Sequence, residues 1–279
     1  MLQPNLFIVG APKAGTTYLF EKLKNHPDIY FPKIKELNYF SANHLENNSY
    51  YDDYKVKDEG KYLTFYKNAK DEKYLIDGSV SYFAFPDIAA KIFLFNPKAK
   101  IIVTLRDPIK RAFSHYLMDK RMGHASLPFG EYLNEAHHPK HYAQYIGNSM
   151  YYRNLKEYVD VFGRENVLII KNDDLDKGLL HVCNFLGLVF DSKYENELKV
   201  VNENKAPRNF ISKYFQRHRN IVSKFKLIIP PLFIKKLNRF LYKSALLEEM
   251  TATEREICYN FLKEDQENLK KYLDYGQTN

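Results

Sequence analysis

Residues 8–17 read Ile-Val-Gly-Ala-Pro-Lys-Ala-Gly-Thr-Thr and carry the densest chemistry in the chain. An apolar run, Leu6 to Val9, stops at Gly10; a small-residue loop follows, and a helical pattern starts at Thr16. Strand, glycine-bounded loop and helix make a phosphate cradle. Glycines let backbone N–H groups approach an anion, and the new helix turns its positive end toward it. The nucleoside-triphosphate form of this loop is G-x-x-x-x-G-K-[ST]. Gly10 and Gly15 keep that spacing, but Thr16 stands where the lysine would be, and Lys13, inside the loop, is its cation. The loop is therefore expected to hold a phosphate through Lys13, Ala14, Gly15, Thr16 and Thr17, without the lysine that ATP and GTP enzymes set on the outer phosphates.

A second anion site is expected downstream. Ile101 to Leu105 reads as a strand, followed by Arg106-Asp107-Pro108 and a helix. Asp107 is placed to cap that helix and Pro108 suits its first position. Arg106 then falls at the carboxyl end of a parallel strand, where open α/β sheets bind ligands. Ser114 lies about two turns into the helix, and a guanidinium converging with a hydroxyl suits a phosphomonoester.

These two motifs resemble one family. Pro-Lys-Ala-Gly-Thr-Thr looks like the 5′-phosphosulfate loop of sulfotransferases that use 3′-phosphoadenosine 5′-phosphosulfate (PAPS), and Leu-Arg-Asp-Pro-x-x-Arg-x-x-Ser-x-Tyr resembles their 3′-phosphate motif. The resemblance implies that Arg106 and Ser114 hold the 3′-phosphate, that PAPS is the donor and adenosine 3′,5′-bisphosphate the product, and that no metal is required. In the carbohydrate and heparan-sulfate type and its bacterial relatives, a Lys-Glu-x-x-x-Phe segment supplies the catalytic base. Lys35-Glu36 through Phe40 matches it, so Glu36 is the candidate. The reaction needs such a group, because the acceptor hydroxyl loses its proton as it attacks sulfur. Lys35 beside it is placed to hold a donor phosphate or sulfate. Other members use a histidine; His115 and His124 lie near the second motif, and nothing in the sequence prefers either. Family members also carry Glu-Lys-[ST]-Pro-x-Tyr where this chain reads Asp77-Gly78-Ser79-Val80-Ser81-Tyr82. Asp77 is a secondary catalytic candidate. Gly78 replaces the lysine, a departure from a heparan-like acceptor. Lys205 and Arg208 are candidates for the basic loop that closes the nucleotide site in relatives.

The elements that must position these residues alternate. Strand signals fall at Leu6–Val9, Tyr74–Asp77, Lys100–Leu105 and Asn166–Ile170, each short and apolar as strands buried on both faces are. Helical patterns cover Thr16–Asn25, Asp87–Phe95, Ile109–Arg121, Met150–Phe162 and Leu179–Leu186. The expected fold is α/β: a P-loop-type three-layer arrangement with a central parallel sheet flanked by helices, plus a helical C-terminal region. A single domain over 1–279 is expected, with a motif-bearing core of about 5–190 and a helical part of about 203–279, basic from Phe210 onward and ending in a long helix, Thr253–Leu273, capped by Thr253 with Glu256. Residues 41–73 read as a loop with short helices.

The balance of Lys+Arg 42 against Asp+Glu 34 gives a charge of +8, which suits anionic ligands. The lysines are scattered and no nucleic-acid motif is present, so nucleic acid is not an expected partner. The two cysteines, Cys183 and Cys258, give neither a disulfide framework nor metal spacing. No secretory signal or membrane-length apolar run is evident, and a cytoplasmic protein is expected. The basic C-terminal helices leave contact with a membrane surface or acidic glycan open. The resemblance thus implies transfer of a sulfuryl group from PAPS to a hydroxyl, on a carbohydrate or glycolipid. A divergent P-loop nucleotide kinase, or a non-catalytic nucleotide- or glycan-binding protein of the same fold, remain alternatives at this stage.

Overall fold

The computed structural model describes residues 2–48, 51, 53–194, 205–207, 242–244 and 248–275. Five strands build the central sheet: β1 (Leu6–Gly10), β2 (Ile29–Tyr30), β3 (Tyr74–Asp77), β4 (Lys100–Leu105) and β5 (Val167–Lys171). Their order is β2-β3-β1-β4-β5, and every neighbouring pair is parallel. Alternate side chains leave a strand on opposite faces, so one apolar run feeds two cores. Phe7, Val9, Ile101 and Val103 pack on one face against Ile88 and Ile92 of α4 (Asp87–Phe95) and Leu155 and Tyr158 of α7 (Tyr152–Phe162). Leu6, Ile8, Ile102 and Ile170 face the other way, onto Leu19 and Leu23 of α1 (Thr16–Leu23) and Leu179 and Val182 of α8 (Gly178–Leu186). This is the expected three-layer α/β fold.

A third cluster forms to the side. Ala112 and Tyr116 of α5 (Pro108–Met122) and Tyr145 of α6 (Pro139–Tyr145) pack with Cys258 and Leu262 of the long C-terminal helix α9 (Ala252–Tyr275). Two short helices, α2 (Ala42–Asn48) and α3 (Glu59–Thr64), interrupt the 41–73 stretch. Strands β6 (Lys205–Pro207) and β7 (Tyr242–Ser244) pair antiparallel. Cys183 and Cys258 are free and buried.

Three local readings shift. The two-residue strand β2 went unnoticed, being too short to show a period. Helix α7 starts two residues later than Met150, because the Asp265 carboxylate of α9 accepts from the Tyr151 and Tyr152 amides at 2.8 and 3.0 Å and fixes its start there. Helix α9 is capped by Thr251 and Glu254 rather than by Thr253 and Glu256. Thr251 N donates to Glu254 Oε2 at 2.9 Å and Glu254 N donates to Thr251 Oγ1 at 3.2 Å. Both pairs fit the capping pattern, but Glu254 also accepts from Gly130 N at 2.9 Å, a tertiary bond that favours the earlier box. The helical, basic reading of 210–241 lies outside the described residues.

The order places β1 between β3 and β4, so the chain leaves β1 for one side of the sheet and returns on the other. Open parallel sheets form their ligand crevice at such a reversal, beyond the carboxyl ends of the strands.

Candidate active site

A cavity of about 880 Å³ opens at that crevice. It is lined by the loop after β1, the segment after β3, the start of α5 after β4 and Asn172 after β5.

The loop after β1 is fixed by close packing. Gly15 has φ 92° and is the N-cap of α1. A Cβ there would lie 2.2 Å from Leu175 Cδ1 and 2.9 Å from Asn172 Nδ2, so only glycine fits. Asn172 Nδ2 donates to Ala14 O at 3.2 Å. Lys13 is also held at a positive φ of 67°. Two guanidiniums secure this turn: Arg106 Nη1 donates to Lys13 O at 3.3 Å, and Arg111 Nε to Pro12 O at 3.0 Å. No side chain caps α1. The first-turn amides of a helix lack intrahelical partners, and Gly15, Thr16 and Thr17, at the start of α1, line the cavity.

Ala14 differs from its expected place. It is fully buried, and its N–H donates to Ala11 O at 3.2 Å, so that amide is already engaged within the loop. Gly15, Thr16 and Thr17 do line the cavity, as do Lys13, Glu36, Arg106 and Ser114.

The Lys13 ammonium lies 3.6 Å from Met118 Sδ. Burial, with Arg121, Arg111 and Arg106 nearby, lowers its pKa from the usual lysine value to about 8, while Asp119 acts the other way. The cavity therefore holds concentrated positive charge next to open amides, the arrangement that binds a polyanion. Asp107 caps α5 as expected, its carboxylate accepting from Lys110 N at 2.7 Å, with Pro108 at the first position.

Glu36 reaches the cavity from the stretch after β2, and its side chain is 42% exposed. Lys35 Nζ lies 3.1 Å from Glu36 Oε1 and donates to the Thr16 and Thr17 hydroxyls at 3.4 and 3.3 Å. One ammonium thus ties the candidate base to the phosphate loop. The segment is strapped to the end of β3: Gly78 N donates to Lys35 O at 3.2 Å, and Asn38 N donates to Ser79 Oγ at 2.9 Å.

Asp77 is where the structure departs most from the sequence reading. It is fully buried and does not line the cavity. Its carboxylate accepts from Tyr62 Oη at 2.6 Å, Tyr82 Oη at 2.9 Å and Ser79 N at 3.0 Å, and from the Ser79 hydroxyl. Burial raises its pKa despite these bonds. A carboxylate so enclosed cannot meet an acceptor; it orients Ser79, which in turn holds the Glu36 segment.

Sequence reasoning gave Arg111 no role and weighed His115 beside His124 as a base without preferring either, although Arg111 and His115 both stand in the second motif. Arg111 is fully buried and donates also to Gln144 O, Tyr145 O and Ser149 Oγ. The Arg-Asp-Pro-x-x-Arg spacing, Arg106 to Arg111, was the available signal for it. Arg111 Nη2 also donates to His115 Nδ1, which leaves the proton on Nε2, where it meets Tyr51 Oη at 2.7 Å; the Tyr51 hydroxyl passes its own proton toward Asp119. Burial and the nearby Arg111 and Lys13 charges depress the His115 pKa well below the usual histidine value. Both ring nitrogens are occupied, so His115 is a structural imidazole here and not a base. Lys205 lies in β6; Arg208 falls outside the described residues. Among the described residues no group of His, Cys, Asp and Glu forms a metal site, and no helix is long and apolar enough to cross a membrane.

A family model for the sulfotransferase domain matches residues 3–226. This chain belongs to the sulfotransferase family. A sulfotransferase from Alicyclobacillus acidocaldarius aligns over 98% of the chain and 97% of its own, at a TM-score of 0.69 and 26% identity. The membrane-associated sulfotransferase kil1 of Dictyostelium discoideum is 33% identical over 113 residues, covering 40% of this chain and 22% of its own. Human carbohydrate sulfotransferase 15 is 27% identical over 169 residues, covering 48% of this chain and 30% of its own. This sulfotransferase chain therefore spans less than a third of the length of those two relatives.

Proposed function

We propose that this sulfotransferase chain moves a sulfuryl group from PAPS to a hydroxyl of a carbohydrate-bearing acceptor. The observation that carries the reading is convergence. Lys13, the open amides of α1, Arg106 with Ser114, and the Glu36 carboxylate all face one cavity, large enough for a nucleotide and part of an acceptor. The acceptor oxygen attacks sulfur while the bond from sulfur to the bridging phosphate oxygen breaks, and adenosine 3′,5′-bisphosphate leaves. Glu36 takes the acceptor proton. Lys13 meets the negative charge that grows on the leaving oxygen, and the hydroxyls of Thr16 and Thr17 with the α1 amides hold the 5′ end. Arg106 and Ser114 hold the 3′-phosphate. Lys35 keeps the base and the donor loop in register. The work is positioning and electrostatics, as in phosphoryl transfer, with no step assigned to a metal. Likeness to a carbohydrate sulfotransferase supports the sugar acceptor.

Calorimetric titration with adenosine 3′,5′-bisphosphate, beside 5′-AMP and ATP, tests this reading. Binding that requires the 3′-phosphate supports it. Preference for ATP, or no binding of any of the three, rejects it.

A further inference from the structure

Methionine is concentrated at this cavity. The chain has five methionines, and three of them, Met118, Met122 and Met150, line it. Met118 and Met122 stand one turn apart on α5. Met118 is half-buried, but its neighbours on that helix, His115 and Asp119, are buried and pinned. Arg111 and Tyr51 hold His115, and Tyr51 and Tyr145 hold Asp119. That face of α5 is therefore fixed, and with it the place of the Met118 stem.

The Met118 sulfur lies 3.6 Å from the Lys13 ammonium, the one hydrogen-bond contact this ammonium makes among the described residues. A thioether is a soft, weak acceptor. It can support Lys13 while the cavity is empty and yield the ammonium to a phosphate oxygen when the donor arrives. The same arrangement makes the sulfur chemically exposed, because it faces an open cavity from which only a bound ligand would shield it.

We propose that Met118 is a modification site: hydrogen peroxide converts its thioether to the sulfoxide in the empty enzyme, and the sulfoxide shuts the donor site. The proposal rests on the reading of Lys13 as a donor-binding group. A sulfur lone pair attacks one peroxide oxygen and the O–O bond breaks. The departing hydroxide takes up a proton, and the oxygen now on sulfur gives one up. Sulfur is oxidised by two electrons, and the balance is thioether plus peroxide to sulfoxide plus water. The new S=O oxygen is a strong acceptor set beside an ammonium. It pairs with Lys13 by a charge-assisted bond that the donor must break, and its negative end opposes the donor's phosphate oxygens. A bond of that kind corresponds to about 10–100-fold in affinity. Coupling is reciprocal, so bound nucleotide must protect the sulfur in turn. A methionine sulfoxide reductase with a dithiol restores the thioether.

The test treats the full chain with hydrogen peroxide, with and without saturating adenosine 3′,5′-bisphosphate, and stops the reaction with catalase. Peptide mass spectrometry follows the added oxygen, and calorimetry follows bisphosphate affinity. Oxygen should appear on Met118 at least tenfold more slowly in the bisphosphate-loaded chain. In the chain oxidised while empty, the bisphosphate dissociation constant should rise about 10–100-fold and return after reductase treatment. Each variant is compared with itself before and after peroxide. Met118→Leu should change by less than twofold, whereas Met122→Leu should lose affinity as the native chain does. An unmoved dissociation constant with oxygen on Met118, no oxygen there, equal rates in loaded and empty chains, or an equal loss in Met118→Leu overturns the proposal and leaves the donor assignment standing. Failure of the untreated chain to bind the bisphosphate would instead remove the sulfotransferase reading beneath it.

Discussion

Lys13 sits among Arg106, Arg111 and Arg121, mostly out of water; among the described residues it forms no ion pair, and Asp119 acts on it through space. Its lowered pKa of about 8 has a consequence for ligand binding. The bound polyanion favours the charged ammonium, so binding must draw a proton wherever the free protein has lost one. At pH 8 about half of the free chains carry a neutral Lys13, and uptake should approach about half a proton per bisphosphate bound; at pH 6 Lys13 is already charged and uptake from it should vanish. Calorimetry of bisphosphate binding in buffers of different ionisation enthalpy measures this directly. Equal uptake at both pH values would place the titration on another group. Lys13→Ala removes both the uptake and the charge that meets the leaving oxygen. It should lower kcat by about a hundredfold or more, with a smaller loss in bisphosphate affinity. Glu36→Gln keeps the contact with Lys35 but cannot accept a proton. Its kcat should fall by about 10²–10⁴-fold while the bisphosphate dissociation constant stays within a few-fold, and near-normal turnover would dismiss Glu36 as the base.

Single residues act here through the ends of strands and helices. Asp77 closes β3 and satisfies four donors from Tyr62, Tyr82 and Ser79 in a dry interior. Asp77→Asn turns an amide N–H₂ toward groups that are themselves donors. The loss should be about 2–4 kcal/mol of stability, read as a lower thermal midpoint, with kcat falling more than bisphosphate affinity because the Glu36 strap loosens before the donor loop does. An unchanged midpoint would mean the donors rearrange at no cost. How much of such an element shows in sequence depends on how local its cause is. The strand at 100–105, the Asp107 cap and the Gly15 turn follow from a few adjacent residues, and they were readable. The start of α7 depends on Asp265, more than a hundred positions away, and was misplaced. Asp77 illustrates the same limit for a site. An acid at a strand end looks the same in sequence whether it faces a cavity or is walled in by two tyrosines. The Ala14 amide, engaged with Ala11 O, is a backbone detail that no residue type announces.

At the scale of the whole molecule, the open question is how far the cooperative unit extends. The family match ends at residue 226, whereas α9 begins at Ala252. Yet α9 is bound into the same cores as the motif-bearing residues. Cys258 and Leu262 are buried in the cluster formed with α5 and α6, and Leu269, Tyr272 and Leu273 pack against the sheet-side cluster that holds α4 and α7. Asp265 caps α7, which lines the cavity with Arg153 and Asn154. Two fully buried and several partly buried side chains at about 1–3 kcal/mol each, with the cap adding about 1 kcal/mol, amount to something on the order of 5–10 kcal/mol. That is comparable to the whole stability of an ordinary domain, about 5–15 kcal/mol. A chain ended at Glu248 should therefore lose its cooperative thermal transition and its affinity for bisphosphate together, although every sulfotransferase motif remains in it. Near-ultraviolet circular dichroism during heating, with the bisphosphate titration alongside, decides the point. Asp265→Ala should show the smaller form of the same effect, a loss of about 1–2 kcal/mol with the transition still cooperative. A sharp transition in the shortened chain would instead make α9 an accessory to a core that folds without it.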